Sequence, residues 1–257
     1  MLWRLLDTPP APGAWNMALD EALAESVAEG GVPVLRFYRW SPACLSLGRN
    51  QPAARLYDEA ALRARGWDVV RRPTGGRAVL HRRELTYCAA VPDRLLGPPR
   101  EAYTAINRAL VAGLRRLGVD AAVQGDTGRR APVPSLAPCF AEPVEGEVVA
   151  AGRKLVGSAQ RRMGGVLLQH GSLPLHDDQG EVAALLARDM ADDERPAALV
   201  PLLGREPAWD ELVRALADGW AEALGAELQD TPPTDAERAR AEVLARHYAG
   251  PAWTWHR

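Results

Sequence analysis

Apolar positions along the chain change their period several times, and each change marks an element. In "AWNMALDEALAESVAEGG" Trp15, Leu19, Ala22, Leu23 and Val27 recur at helical spacing and stop at a Gly pair, which predicts an amphipathic helix. "VPVLRFYRW" and "CLSLG" read as short strands joined through Ser41 and Pro42. "YDEAALRARG" reads as a short helix, with acids at its start, arginines near its end and Gly66 beyond it. Three strand candidates follow, "WDVVRR", "RAVLH" and "ELTYCAAV", separated by "PTGG" and "RR" in the manner of a meander.

"EAYTAINRALVAGLRRLG" predicts a helix stopped by Gly118, and "GEVVAAGRKLVGSAQRRMGGVLLQHGSL" a second meander with Gly-containing turns. From about Asp177 onward "GEVAALLARD", "AWDELVRALADGWAEALG" and "TDAERARAEVLARHYAG" carry helical spacing. "GDTGRRAPVPSLAP" is the clearest loop and lies directly before Cys139. Strands cluster in neighbouring runs and helices fall mainly at the ends, so the expected class is α+β with a mixed, mostly antiparallel sheet flanked by helices.

Composition narrows the function classes. Hydrophobic content of 47% with 25% charge suits a globular domain with a substantial core. The formal net charge of -2 gives no global field for nucleic acid or an anionic membrane, so neither is expected as a partner. "MLWRLLDTPPAPG" reaches prolines too early to hold a signal segment. Cys44, Cys88 and Cys139 are widely spaced and suit free thiols in a reducing compartment. A cytoplasmic protein is expected.

Lys154 is the only lysine among 31 basic Lys and Arg residues. An ammonium is a compact charge that can give up a proton, whereas a guanidinium is planar and always charged. Lys154 therefore suits proton transfer or close contact with a reacting carbonyl, although a lysine that escaped an arginine bias would look the same. On a strand, residues 154, 156 and 158 are expected to share a face. "RRPTGGRAVLH" (Arg71–His81) offers a Gly-Gly segment that allows close backbone approach to a ligand, although taken alone it reads first as a hairpin turn with solvated arginines. Cys44 and Cys88 lie in apolar strand runs; Cys139 in "PCF" is the thiol a loop could present. His176, His247 and His256 read as structural, and no cluster has metal-ligand spacing, so no metal is expected.

Taken together, "MALDEAL" (Met17–Leu23), "SLGRNQ" (Ser46–Gln51), "RRPTGGRAVLH", "GRKLVGSAQRR" and "LQHGSL" (Leu168–Leu173) resemble the lipoate/octanoate protein ligase and transferase family, over roughly residues 1–225. The resemblance implies a biotin/lipoate-ligase-like catalytic domain related to class II synthetases. The expectation is one such domain over 1–257, with its core at about 30–225 and no accessory C-terminal domain. Carried across, it places Arg72, Thr74, Gly75, Gly76, Ala78 and His81 at the acyl pocket and Lys154 at the reacting end. Gly157, Ser158 and Ala159 are to line the same channel, and Cys139 is the nucleophile of the cysteine-dependent branch.

That branch consists of protein N-octanoyltransferases, which pass an octanoyl group from acyl carrier protein, through a cysteine thioester, to a lysine of a lipoyl domain or glycine-cleavage H protein. The resemblance then implies no cofactor. The alternative is an ATP-dependent lipoate–protein ligase, which would use ATP and Mg. An octanoyl-H-protein:lipoyl-domain amidotransferase and a non-catalytic lipoyl-domain binder are further readings.

Overall fold

In the computed structural model, residues 1–53, 56–57, 59–125, 145–185 and 195–256 are described. The main sheet is built on two long strands, β6 (Glu84–Pro92) and β10 (Val166–Pro174), paired antiparallel. β10 is buried throughout and β6 at every residue but its last, because helices cover both faces of the sheet. Their sequences accordingly lack clean alternation, and the polar Glu84, Thr86, Gln169, His170 and Ser172 among them are buried as well.

Successive side chains still divide between the two faces. Leu35, Tyr87, Ala89 and Leu167 join a core with α3 (Pro99–Arg116) and α6 (Trp209–Leu224). Val34, Tyr38, Cys88 and Leu168 join a second core with α1 (Gly13–Ala28) and α7 (Asp235–Tyr248). Among the described residues the strand order is β11-β1-β2-β6-β10-β9-β8-β7. It uses β1 (Leu2–Asp7), β2 (Val34–Tyr38), β7 (Ala121–Val123), β8 (Val148–Ala150), β9 (Arg153–Met163) and β11 (Glu227–Asp230). Only the β11-β1 and β1-β2 pairs are parallel. The sheet is therefore mixed and mostly antiparallel, and the second meander runs β8, β9, β10 as its turns imply.

The first meander is corrected. β3 (Cys44–Leu47), β4 (Asp68–Arg71) and β5 (Val79–His81) form a separate sheet in the order β4-β3-β5, and β4 and β5 do not pair. The reason lies in α2 (Glu59–Ala64), which follows β3 and carries the chain across so that β4 returns parallel to it. Parallel neighbours need such a crossover. β5 is left with the other edge of β3, which it takes antiparallel. The Gly-Gly segment thus spans β3 from one side to the other, and its glycines do not close a two-stranded hairpin.

α4 (Gly180–Leu185) and α5 (Leu199–Leu203) lie between β10 and α6 in the chain, and the residues beyond α6 are woven into the fold. α7 starts with a capping box between Thr234 and Glu237, and Glu237 also takes a salt bridge from Arg4 at 2.5 Å. α8 (Pro251–Thr254) packs on β4, where Arg71 Nε donates to the Thr254 carbonyl at 2.9 Å and Trp253 Nε1 to the Arg71 carbonyl at 2.9 Å. No helix among the described residues is long and apolar enough to cross a membrane.

Where α3 and α6 cross, Gly113 and Gly219 lie back to back, and a Cβ on Gly219 would overlap the Gly113 backbone. Gly219→Ala should therefore force the helices apart, at a cost of about 1–3 kcal/mol for overpacking. Calorimetry should record a melting temperature lower by roughly 2–4 °C per kcal/mol for a chain of this size.

Candidate active site

Lys154 reaches the site by way of a bulge. β8 and β9 pair as Ala150↔Arg153 and Val149↔Lys154, but the next pair is Val148↔Val156. Leu155 is the extra residue, and Leu155 and Val156 both enter the α3/α6 core. The expected common face for residues 154, 156 and 158 is therefore corrected. Lys154 shares its face with Val149, and past the bulge that face continues through Gly157 and Ala159, opposite Ser172 and His170 of β10. Lys154 and Glu147 are both almost completely buried, with Nζ 2.5 Å from Glu147 Oε1. Cys139 lies outside the described residues. Cys44 and Cys88 are fully buried, and burial above all pushes both thiols up, helped by Asp68 and Glu84 for Cys44 and by Asp20 for Cys88. Neither suits a nucleophile.

A narrow cavity opens on the same face. Gly76, Ser158 and Ala159 stand at its exposed end; Met17, Tyr38 and Trp40 lie at its buried end; Arg72, His81 and Gly157 form its sides. A Cβ on Gly171 would meet Tyr87 Cε1 at 2.6 Å and the Gly157 carbonyl at 2.8 Å, so β9 and β10 pack here only around a glycine.

The Gly-Gly loop is held from two directions. Arg72 Nη1 donates to the Ser46 carbonyl (2.8 Å) and Oγ (2.6 Å), and Nη2 to the carbonyls of Gly75 (3.0 Å) and Arg77 (2.9 Å). Its guanidinium therefore fastens the loop to β3. Thr74 Oγ1 meets His170 Nε2 at 2.6 Å, and His170 Nδ1 meets Asp20 Oδ2 at 3.1 Å. Asp20 also accepts from Arg36 Nη1 (2.7 Å) and Tyr38 OH (2.8 Å). Burial raises the Asp20 carboxyl, but Arg36, His170 and Tyr38 outweigh it and hold the group below its ordinary range. Burial lowers His170, and the neighbouring Asp20 offsets this only in part. A neutral imidazole with its proton on Nδ1, facing the carboxylate, fits both partners.

His81 belongs to a second buried relay. Its Nε2 lies 2.5 Å from Ser46 Oγ and its Nδ1 2.7 Å from Glu84 Oε1. Ser172 donates to Glu84 Oε2 at 2.5 Å, and Thr86 donates to Oε1. Trp40 stacks on His81 with ring centres 4.1 Å apart, and its Nε1 donates to Thr86 Oγ1 at 2.7 Å. Polar side chains around the cavity are thus bonded to one another, which leaves the space between them suited to an apolar chain.

The chain matches the Lipoyl protein ligase A/B catalytic domain over residues 12–221. It belongs to that family. An octanoyltransferase LipM from Kyrpidia tusciae is 44% identical over 271 residues, covering 99% of both chains. A lipoate-protein ligase A solved with bound ATP superposes with a TM-score of 0.83 at 27% identity, covering 99% of each chain. A bipartite lipoate protein ligase from Thermoplasma acidophilum, described together with its E2 lipoyl domain, gives 0.78 at 26% identity over 99% of this chain and 96% of that one.

Of the residues singled out from sequence, Arg72, Gly76, His81, Gly157, Ser158 and Ala159 line the cavity. Thr74 and Gly75 stand behind it as bonding partners of His170 and Arg72, and Ala78 packs in the small core under β3. Sequence reasoning left out Trp40, His170 and Glu147. "LQHGSL" held the signal for His170, while Glu147 was signalled by an acid on the face of Lys154 across the tight Ala151–Gly152 turn.

Two outcomes follow for the loop and its relay. A Cβ on Gly48 would overlap the Gly76 carbonyl oxygen, so Gly48→Ala should displace the Gly-Gly loop. Steady-state kinetics should then show a raised KM for the acyl donor. His170 has a lowered folded-state pKa, so on acidification from about pH 6.5 the unfolded chain takes a proton that the native state refuses. Stability should fall by up to about 1.4 kcal/mol per pH unit in that window, with a further loss below the ordinary carboxylate range as Asp20 protonates. Urea unfolding across pH 5–8 measures the slope, which His170→Gln should flatten.

Proposed function

We propose that this protein is an octanoyltransferase of lipoate biosynthesis, acting on octanoyl-acyl carrier protein and on lysines of lipoyl domains or glycine-cleavage H protein. The observation that carries the reading is full-length similarity to the LipM octanoyltransferase, 44% identical over 99% of both chains. An apolar cavity beside the face of the sole lysine is consistent with it. The ligase neighbours share the fold, and an ATP arm in the experiment below tests their chemistry here.

In the proposed mechanism the octanoyl chain enters from Gly76 and Ala159 towards Trp40. The Cys139 thiolate attacks the thioester carbonyl; the carrier thiol leaves with a proton, and octanoyl-Cys139 remains. The ε-amine of the acceptor lysine then attacks this second thioester, the amide forms, the amine gives up a proton, and the Cys139 thiolate departs. Lys154, as an ammonium, stabilises the thiolate and the oxyanion and passes protons between the steps. The donor is already activated, so the reaction asks for no ATP and no metal.

The experiment is intact mass after incubation with octanoyl-acyl carrier protein and no acceptor. An added octanoyl group that hydroxylamine removes is expected, absent in Cys139→Ser and present in Cys44→Ser and Cys88→Ser. Octanoyl transfer by Cys139→Ser, or acylation only from free acid with ATP, would replace this mechanism with ligation.

A further inference from the structure

We propose that Glu147 is a positioning residue of the transfer site: it holds Lys154 on the cavity face as an ammonium. The inference rests on the use of Lys154 set out above and adds a group to that site.

An ammonium withdrawn from water is costly unless an anion meets it, and removing one partner of a buried pair leaves an uncompensated charge. Lys154 and Glu147 have side-chain exposures of 4% and 7%, with Nζ and Oε1 2.5 Å apart. The backbone that carries the carboxylate is itself fixed by its surroundings. Gln124 N–H donates to the Glu147 carbonyl at 2.7 Å, and Gly146 N–H to the Gln124 carbonyl at 3.0 Å. From α3, Asn107 Nδ2 donates to the Gly146 carbonyl at 2.7 Å, while its Oδ1 accepts from Gln169 Nε2 at 3.3 Å. The turn that carries Glu147 is therefore fixed by the helix that also supports the strands of the cavity.

Register supplies the second argument. Glu147 lies two residues before Val149, the direct partner of Lys154, so the two side chains are diagonal neighbours on one face. The bulge at Leu155 falls just beyond the pair and puts Lys154 in phase with Gly157 and Ala159 at the cavity. A pair serving the fold alone needs no such phase. The Glu147 carboxylate faces the ammonium directly. A carboxylate there favours the charged amine and fixes its direction.

The sole lysine makes the test specific, since the chain has otherwise only its α-amine. Trace acetylation at pH 8 with peptide mapping reads the Lys154 amine directly, and steady-state octanoyl transfer reads function. Glu147→Gln should label Lys154 several-fold faster than wild type and lose about tenfold or more in kcat. The donor KM should stay within about twofold, the signature of an interaction made in the transition state. Glu147→Asp should be intermediate in both and serves where the amide variant does not fold. Unchanged labelling in Glu147→Gln, or wild-type kcat in either folded variant while Lys154→Ala is inactive, would overturn the proposal. Activity in Lys154→Ala would instead overturn the reading beneath it, and that variant alone reports the difference.

Discussion

The Arg72 guanidinium, bonded at once to Ser46 of β3 and to the carbonyls of Gly75 and Arg77, is the contact on which the site depends. The Gly-Gly segment joins two strands on opposite edges of β3, so no ladder of its own holds it. Arg72 supplies the missing constraint, since its planar fork meets several fixed acceptors together. Gly48 lets the loop lie against the backbone after β3, and Thr74 fixes the far side through His170 and Asp20. Remove the clamp, and the cavity loses the wall that faces β9.

The same constraint explains why so many polar groups surround an apolar cavity. Buried polar atoms are tolerable when they are paired, and a half-satisfied network is worse than none. Here the Asp20–His170–Thr74 and Glu84–His81–Ser46 relays close on themselves, with Trp40 covering His81. A substrate chain then displaces no essential hydrogen bond from these groups. Rigidity and apolarity of the cavity have one source.

Much of this was legible in the sequence, for identifiable reasons. Helices α3, α6 and α7 bury one stripe each and so advertise themselves by period, and the second meander is marked by its glycine turns. α1, expected to be amphipathic, is instead buried on most sides, with Asn16 to Asp20 an unbroken buried run. The small sheet was misread because pairing order depends on the crossover through α2, which adjacency of strand runs does not reveal. The phase of Lys154 was misread because one extra residue in a strand changes which side chains share a face, and "KLVGSA" carries no mark of it. Beyond β10 the helical spacing concealed β11, a short and largely exposed edge strand.

The contrast between arginine and lysine follows from the acceptors each must meet. Arg36 reaches Thr8, Asn16 and Asp20, Arg71 reaches the carbonyls of Gly48, Gln51 and Thr254, and Arg72 spans β3 and its loop. Each of these buried arginines stands where several acceptors are fixed in space, which suits a rigid five-donor fork. At position 154 the strand is bulged, the neighbouring carboxylate approaches to 2.5 Å, and the room is that of a buried sheet face. A guanidinium there would be bulkier and would keep its proton throughout. An ammonium fits as a point charge, turns its three donors freely, and can yield a proton when the neighbouring chemistry requires it. The single lysine of this chain thus stands beside a buried carboxylate, where a compact charge can turn its donors and exchange a proton.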